Sequence, residues 1–191
     1  MRLFVAVDLS AEAVDEAVRV ADEIRRRSHA KLRWVPAANM HLTVRFIGHV
    51  AGNADQLVSA LTAPVALNPF DLALAGCGAF PPAGAIRVVW IGVAAAGVPS
   101  LTHLSAVMDE RVRSFGFAPD ARPFSPHLTL ARAERNERVP RQVRETLAHE
   151  TVRPVRTHVT QAVIYQSHLS PRGARYEAVA AVPFAAESQL D

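Results

Sequence analysis

One cysteine, one lysine and no long apolar run set the first limits on this 191-residue chain. Cys77 has no second cysteine to pair with, so a disulfide-framed secreted domain is excluded and a reducing, cytoplasmic compartment is expected. A lone thiol of this kind most simply packs as a small hydrophobe. No stretch approaches the ~20 apolar residues that cross a bilayer, and the opening run from Met1 to Asp8 is too short for a signal peptide and meets an acid too soon. Lysine is confined to Lys31, so nearly all the positive charge is guanidinium, which stays charged in the working range and binds phosphate with two prongs. With a net charge of only +3 this leans weakly toward an anionic partner such as nucleic acid, and genome composition produces the same bias. What remains is 50% hydrophobic and 20% charged, the balance of a folded domain rather than a disordered chain.

Strands and helices alternate. Residues 3–8 read as a buried strand. Residues 11–27 read as a helix capped by Ser10, with Val14, Ala17, Val18, Ala21 and Ile24 at helical spacing. Further strands are expected at 32–35, 41–47, 70–77, 87–94, 156–165 and 175–182, and helices near 54–63, 99–115 and 139–149. A Pro/Gly loop falls at 81–84. Sliding the chain against itself by 86 residues lays His41-Leu42-Thr43-Val44 on His127-Leu128-Thr129-Leu130. The same shift carries strand 3–7 onto 89–93, the first helix onto 97–113 with its stripe of Leu101, Leu104, Met108 and Val112, helix 54–63 onto 140–149, and strand 70–77 onto 156–163. The expectation is a single bilobal α+β domain over 1–191. Its halves, about 1–86 and 87–191, would be pseudo-twofold-related lobes, each an antiparallel-rich sheet backed by helices, facing a central cleft. Strand 87–94 matches elements of both halves, so its lobe stays open.

In each His-x-Thr motif, strand alternation puts His41 with Thr43, and His127 with Thr129, on one face, while Leu42, Val44, Leu128 and Leu130 point behind. In-line cleavage of a phosphodiester needs a base for the nucleophile and an acid for the leaving oxygen. Two histidines supply both near neutral pH, and threonine hydroxyls can donate to the non-bridging oxygens. Random placement of His, Thr and apolar residues gives only about 0.08 such motifs, so a pair at matching repeat positions carries weight.

These residues resemble a known family. Leu32-Arg33-Trp34-Val35-Pro36 with Asn39-Met40-His41-Leu42-Thr43-Val44-Arg45-Phe46-Ile47-Gly48 looks like the first signature of the two-histidine (2H) phosphoesterases. Arg122-Pro123-Phe124-Ser125-Pro126-His127-Leu128-Thr129-Leu130-Ala131-Arg132 looks like the second. The opening Arg2–Asp8 and the late Tyr165-Gln166-Ser167 and Gly173-Ala174-Arg175-Tyr176 are similar to the bacterial and archaeal RNA 2′,3′-cyclic phosphodiesterase branch, historically called 2′-5′ RNA ligase. The resemblance implies hydrolysis of an RNA terminal 2′,3′-cyclic phosphate to a 2′-phosphomonoester. His41 would be the proton donor to O3′, His127 the acceptor that activates water, and Thr43 and Thr129 phosphate holders. Joining of 2′,5′-linked ends is a second capacity of that branch. Arg132 stands where the branch carries a phosphate-binding arginine, although strand parity points it away from His127 unless the strand twists or ends near Ala131. The residues alone do not decide which histidine is acid and which is base.

Other residues are expected to be structural. Arg45 reads as a solvated rim charge, and Arg25-Arg26-Arg27 as a solvated helix end. Trp34, Trp90 and Phe124 read as core more readily than as base-stacking platforms. His103 falls on a helix, His168 beside a turn at 170–173, and His29 and His149 near helix C-termini. No cluster has metal-ligand spacing, so neither metal nor cofactor is expected. The partners expected are RNA 3′ ends, the enzyme acting as a monomer with no membrane. The competing readings are a phosphodiesterase for small cyclic phosphates, such as ADP-ribose 1″,2″-cyclic phosphate or a cyclic mononucleotide, and a catalytically silent RNA-binding module.

Overall fold

The computed structural model describes residues 1–134, 139–170 and 173–186. Pro171 and Arg172 of the turn expected at 170–173 lie outside the described residues. The elements in chain order are β1 (Arg2–Val7), α1 (Ala11–Ser28), β2 (Arg33–Trp34), β3 (Leu42–His49), α2 (Ala54–Leu61), β4 (Val65–Ala66), β5 (Phe70–Phe80), β6 (Val88–Val93), α3 (Val98–Arg113), β7 (His127–Arg132), α4 (Gln142–His149), β8 (Arg156–Val159), β9 (Gln161–Ser170) and β10 (Gly173–Ala185). The architecture is α+β. The strands run β4-β10-β9-β1-β3-β7-β6-β5-β8, with β2 attached to β7, and every pairing is antiparallel except β10 with β4.

The Ser10 hydroxyl accepts the Ala13 N–H at 3.2 Å and starts α1, and His29 in the left-handed region (φ 49°) closes it. Its buried stripe is Ala13, Glu16, Ala17, Val20, Ala21 and Ile24, so Val14 and Val18 sit half-buried, one position off the expected face. The rotation brings Glu16 inside, where Arg19 (2.8 Å) and the Arg153 backbone N–H (2.9 Å) and guanidinium (2.6 Å) satisfy its carboxylate. Helix α3 buries Leu101, Leu104, Met108 and Val112 as its spacing predicts, and it packs on β3. The segment expected as one strand over 156–165 is two. It breaks at Thr160, β8 pairs with β5 at one edge of the sheet, and β9 pairs with β1 on the far side. Apolar periodicity does not say which partner strand each half of the stretch joins.

Strand β6 lies between β5 and β7. The centre of the sheet is its narrowest seam, because β3 and β7 meet at one pair, Leu42 with Leu128. Both leucines are essentially without exposure.

Candidate active site

That seam sets the geometry of the two motifs. With Leu42 and Leu128 pointing into the core, their chain neighbours must face the other way. Continuing the antiparallel register by one residue each way sets His41 against Thr129 and Thr43 against His127. That register puts the four half-buried side chains on one face of the sheet. His41, Thr43, Thr129 and Arg132 line a cleft of about 660 Å³ with Phe4, Asn39 and Tyr176. His127, two residues before Thr129 on β7, is half-buried and is not part of that wall.

The two imidazoles are held alike. His41 Nδ1 lies 2.9 Å from the Asn39 carbonyl and His127 Nδ1 2.7 Å from the Ser125 carbonyl, in each case two residues back. A carbonyl only accepts, so each Nδ1 carries the proton and each Nε2 is the exchangeable nitrogen. His41 Nε2 is 3.0 Å from the Thr43 hydroxyl, which can donate to it when neutral and accept from it when protonated. Burial pushes both imidazoles below the ordinary 6.5. The backbone carbonyls oppose that shift, and the charge of Arg132 reinforces it at both rings. Asp8 pulls in the opposite direction at His41 alone.

The rings packed on them come from β1, β5, β6, β9 and β10. Phe4 stacks on His41 at 4.8 Å, Tyr165 lies parallel at 6.3 Å and Tyr176 meets it edge-on at 5.2 Å. The Tyr165 hydroxyl donates to Asp8 at 2.7 Å, and burial followed by that carboxylate raises its pKa above the ordinary tyrosine value. On the other side Phe80 meets His127 edge-on at 5.0 Å and Trp90 lies 6.3 Å away. Trp90 rests flat over Gly78 of β5, where any Cβ would overlap its six-membered ring.

Two β-bulges decide which arginines reach the cleft. Opposite β1, the register passes from Arg45 to Thr43 across one step, leaving Val44 extra. Opposite β6, it passes from Ala131 to Thr129, leaving Leu130 extra. Each bulge reverses side-chain parity. Arg132 therefore returns to the face of His127 and Thr129 and lines the cleft with Thr129, and Phe46 likewise reaches the cleft from β3. For the same reason Arg45 is not a solvated rim charge. It is turned into the core, 3% exposed, where it meets Asp109 at 2.7 Å, Asp120 at 3.0 Å and the Ala118 carbonyl.

The remaining candidates separate cleanly. Trp34 lines the cleft, Trp90 packs near His127, and Phe124 is half-buried against the core. His103 on α3 hydrogen-bonds the Ala66 carbonyl, and His168 pairs with Glu177 across β9 and β10. Arg25, Arg26 and Arg27 form the basic last turn of α1. Cys77 lies inside β5, its thiol pushed up to about 12 by burial. Phe4, Asp8, Arg2, Phe46, Tyr165 and Tyr176 escaped the reading of individual residues. Only cross-strand register, Phe4 against both Phe46 and Tyr165, brings them together. No helix among the described residues is long and apolar enough to cross a membrane, and no group of three His, Cys, Asp or Glu among them is placed to hold a metal ion.

Twin His-x-Thr strands across one seam of an α+β sheet define a two-histidine phosphoesterase. The profile of the 2′-5′ RNA ligase superfamily matches residues 12–170, and the chain belongs to that superfamily as a hydrolase of the phosphodiesterase class. It is 34% identical over 182 residues to the RNA 2′,3′-cyclic phosphodiesterase of Archaeoglobus fulgidus, covering 93% of this chain and 97% of that one. Among solved structures it superposes on a Thermus thermophilus protein with a TM-score of 0.78 at 26% identity, over 98% and 100% of the two chains. It also superposes on Escherichia coli LigT complexed with 3′-AMP, with a TM-score of 0.75 at 26% identity, over 96% and 97%.

Proposed function

We propose that this protein hydrolyses the terminal 2′,3′-cyclic phosphate of RNA to a 2′-phosphomonoester. His127 Nε2 takes a proton from water as the water oxygen attacks phosphorus, the P–O3′ bond breaks, and His41 Nε2 delivers its proton to O3′. Thr43, Thr129 and Arg132 hold the non-bridging oxygens, where charge accumulates. The observation that carries the reading is the matched pair of imidazoles, each with Nδ1–H fixed on a carbonyl and Nε2 left for chemistry, on either side of the Leu42–Leu128 pair. Burial lowers the pKa of the His41 imidazole, and Asp8, which acts on His41 alone, opposes that shift and gives the acid role a physical basis. The relatives bearing this activity in their names support the substrate. The reading includes one bilobal unit of related halves, about 1–86 and 87–191, acting as a cytoplasmic monomer. A 5′-hydroxyl RNA end in place of water would give 2′,5′ joining.

Product analysis tests it. An oligonucleotide ending in 2′,3′-cyclic phosphate should yield the 2′-phosphate, and His41→Ala and His127→Ala should each slow turnover at least ~100-fold. EDTA should leave the rate unchanged. A 3′-phosphate product, or activity restored only by added metal, would refute the mechanism. Faster turnover of a cyclic mononucleotide or of ADP-ribose 1″,2″-cyclic phosphate would move the physiological substrate to the small molecule.

A further inference from the structure

Four large apolar side chains stand exposed among the described residues, Met1, Phe46, Leu169 and Val179, and two of them, Phe46 (43%) and Leu169 (65%), are on the wall of the same cleft. Exposed aromatic surface inside a polar cleft is unfavourable unless something covers it. The Val44 bulge turns Phe46 onto this face, three residues past Thr43 and roughly 10 Å along the strand. Arg2 places its guanidinium 4.9 Å from the Phe46 ring centroid, and no carboxylate partners it among the described residues. On the opposite wall Arg33 is already engaged with Glu134 at 3.4 Å.

Reaction geometry selects between these walls. In-line displacement puts the attacking water and the leaving oxygen on opposite sides of phosphorus, so the ribose that carries O3′ lies on the side of the acid. If His41 is the acid, the nucleoside and everything 5′ of it extend into the cleft that His41 lines and His127 does not, whose wall also carries Tyr176, Phe46, Arg2 and Leu169. At that distance beyond Thr43 the Phe46 ring is past the reacting phosphate and ribose, and an aromatic face with a guanidinium that no carboxylate among the described residues pairs is how single-stranded nucleic acid is held.

We propose that Phe46, flanked by Leu169 and with Arg2 beside it, is a subsite for the nucleotide 5′ of the reacting one: its base stacks on Phe46 and its phosphate meets Arg2. This rests on the acid role of His41 and makes the enzyme prefer an RNA strand to a lone cyclic nucleotide.

The test compares kcat/KM for adenosine 2′,3′-cyclic phosphate and for the dinucleotide ApA with the same cyclic end. Phe46→Ala should lower the dinucleotide value about tenfold more than the mononucleotide value, within the range for loss of one base stack. Phe46→Tyr, which keeps the ring, should restore it. Arg2→Gln should flatten the salt dependence seen with the dinucleotide. Equal losses on both substrates would overturn the assignment, as would a selective loss in Trp34→Ala with none in Phe46→Ala, which would send the strand along the other wall. Failure here is distinguishable from failure of the mechanism: the latter appears as undiminished turnover of both substrates by His41→Ala.

Discussion

His41 and His127 differ less in what holds them than in what charges surround them. Both are pushed below 6.5 by burial, which favours the neutral ring, while the proposed mechanism needs His41 protonated and His127 free. Since kcat/KM reports the free enzyme, its maximum should lie below pH 6.5 and fall on the alkaline side as the acid loses its proton, with limbs belonging to the coupled pair. A maximum above pH 7.5 would contradict this. Asp8 is the one carboxylate that raises His41, so Asp8→Asn should move the alkaline limb to lower pH. The histidines and threonines were legible because a strand's period of two makes i and i+2 neighbours by necessity. Asp8 was not, because its place beside His41 depends on β1 pairing with β3, Val7 against Leu42.

At the level of strands, one irregularity recurs. The bulges at Val44 and Leu130 bring Phe46 and Arg132 to the cleft and bury Arg45. Alternation alone predicts the reverse for all three, and nothing in Thr43-Val44-Arg45 or Thr129-Leu130-Ala131 announces an inserted residue. A bulge is set by the partner strand's register. The face of β5 under Trp90 is similarly exacting. Gly78 leaves room for an indole lying flat on the strand, beside the Phe80 ring at 5.2 Å. Gly78→Ala should displace Trp90, cost about 1–3 kcal/mol in denaturant unfolding, and reduce turnover by loosening His127. Unchanged stability and turnover would show the indole to be freely movable.

Across the whole molecule, α1 is tied to the residues after α4 through the buried Glu16 carboxylate. Arg19 first, and Arg153 with it, holds that carboxylate down to about 2 from 4.5. A depressed carboxylate stabilises the folded state fully above its unfolded value and loses that contribution as pH falls from about 4.5 toward 2. Glu16→Gln should therefore lower stability at pH 7 by ~1–3 kcal/mol, with the gap to the parent protein closing through that acid window. A constant gap from pH 7 to 3 would place the cause elsewhere. Most helices and strands could be read from the chain, as could the α+β class. The path of 156–170 could not, since an apolar strand with two eligible neighbours carries no mark of which it will join.

The carbonyls that fix both Nδ1 protons have an effect beyond orientation. Each ring is left with a single port, Nε2, and in the proposed reaction both ports serve the same phosphate. One turnover of that proposed reaction leaves His41 empty and His127 loaded, the inverse of the state that began it. Before a second cycle the two must trade, and with the inner nitrogens locked the proton can travel only through the cleft itself, by way of departing product or entering water.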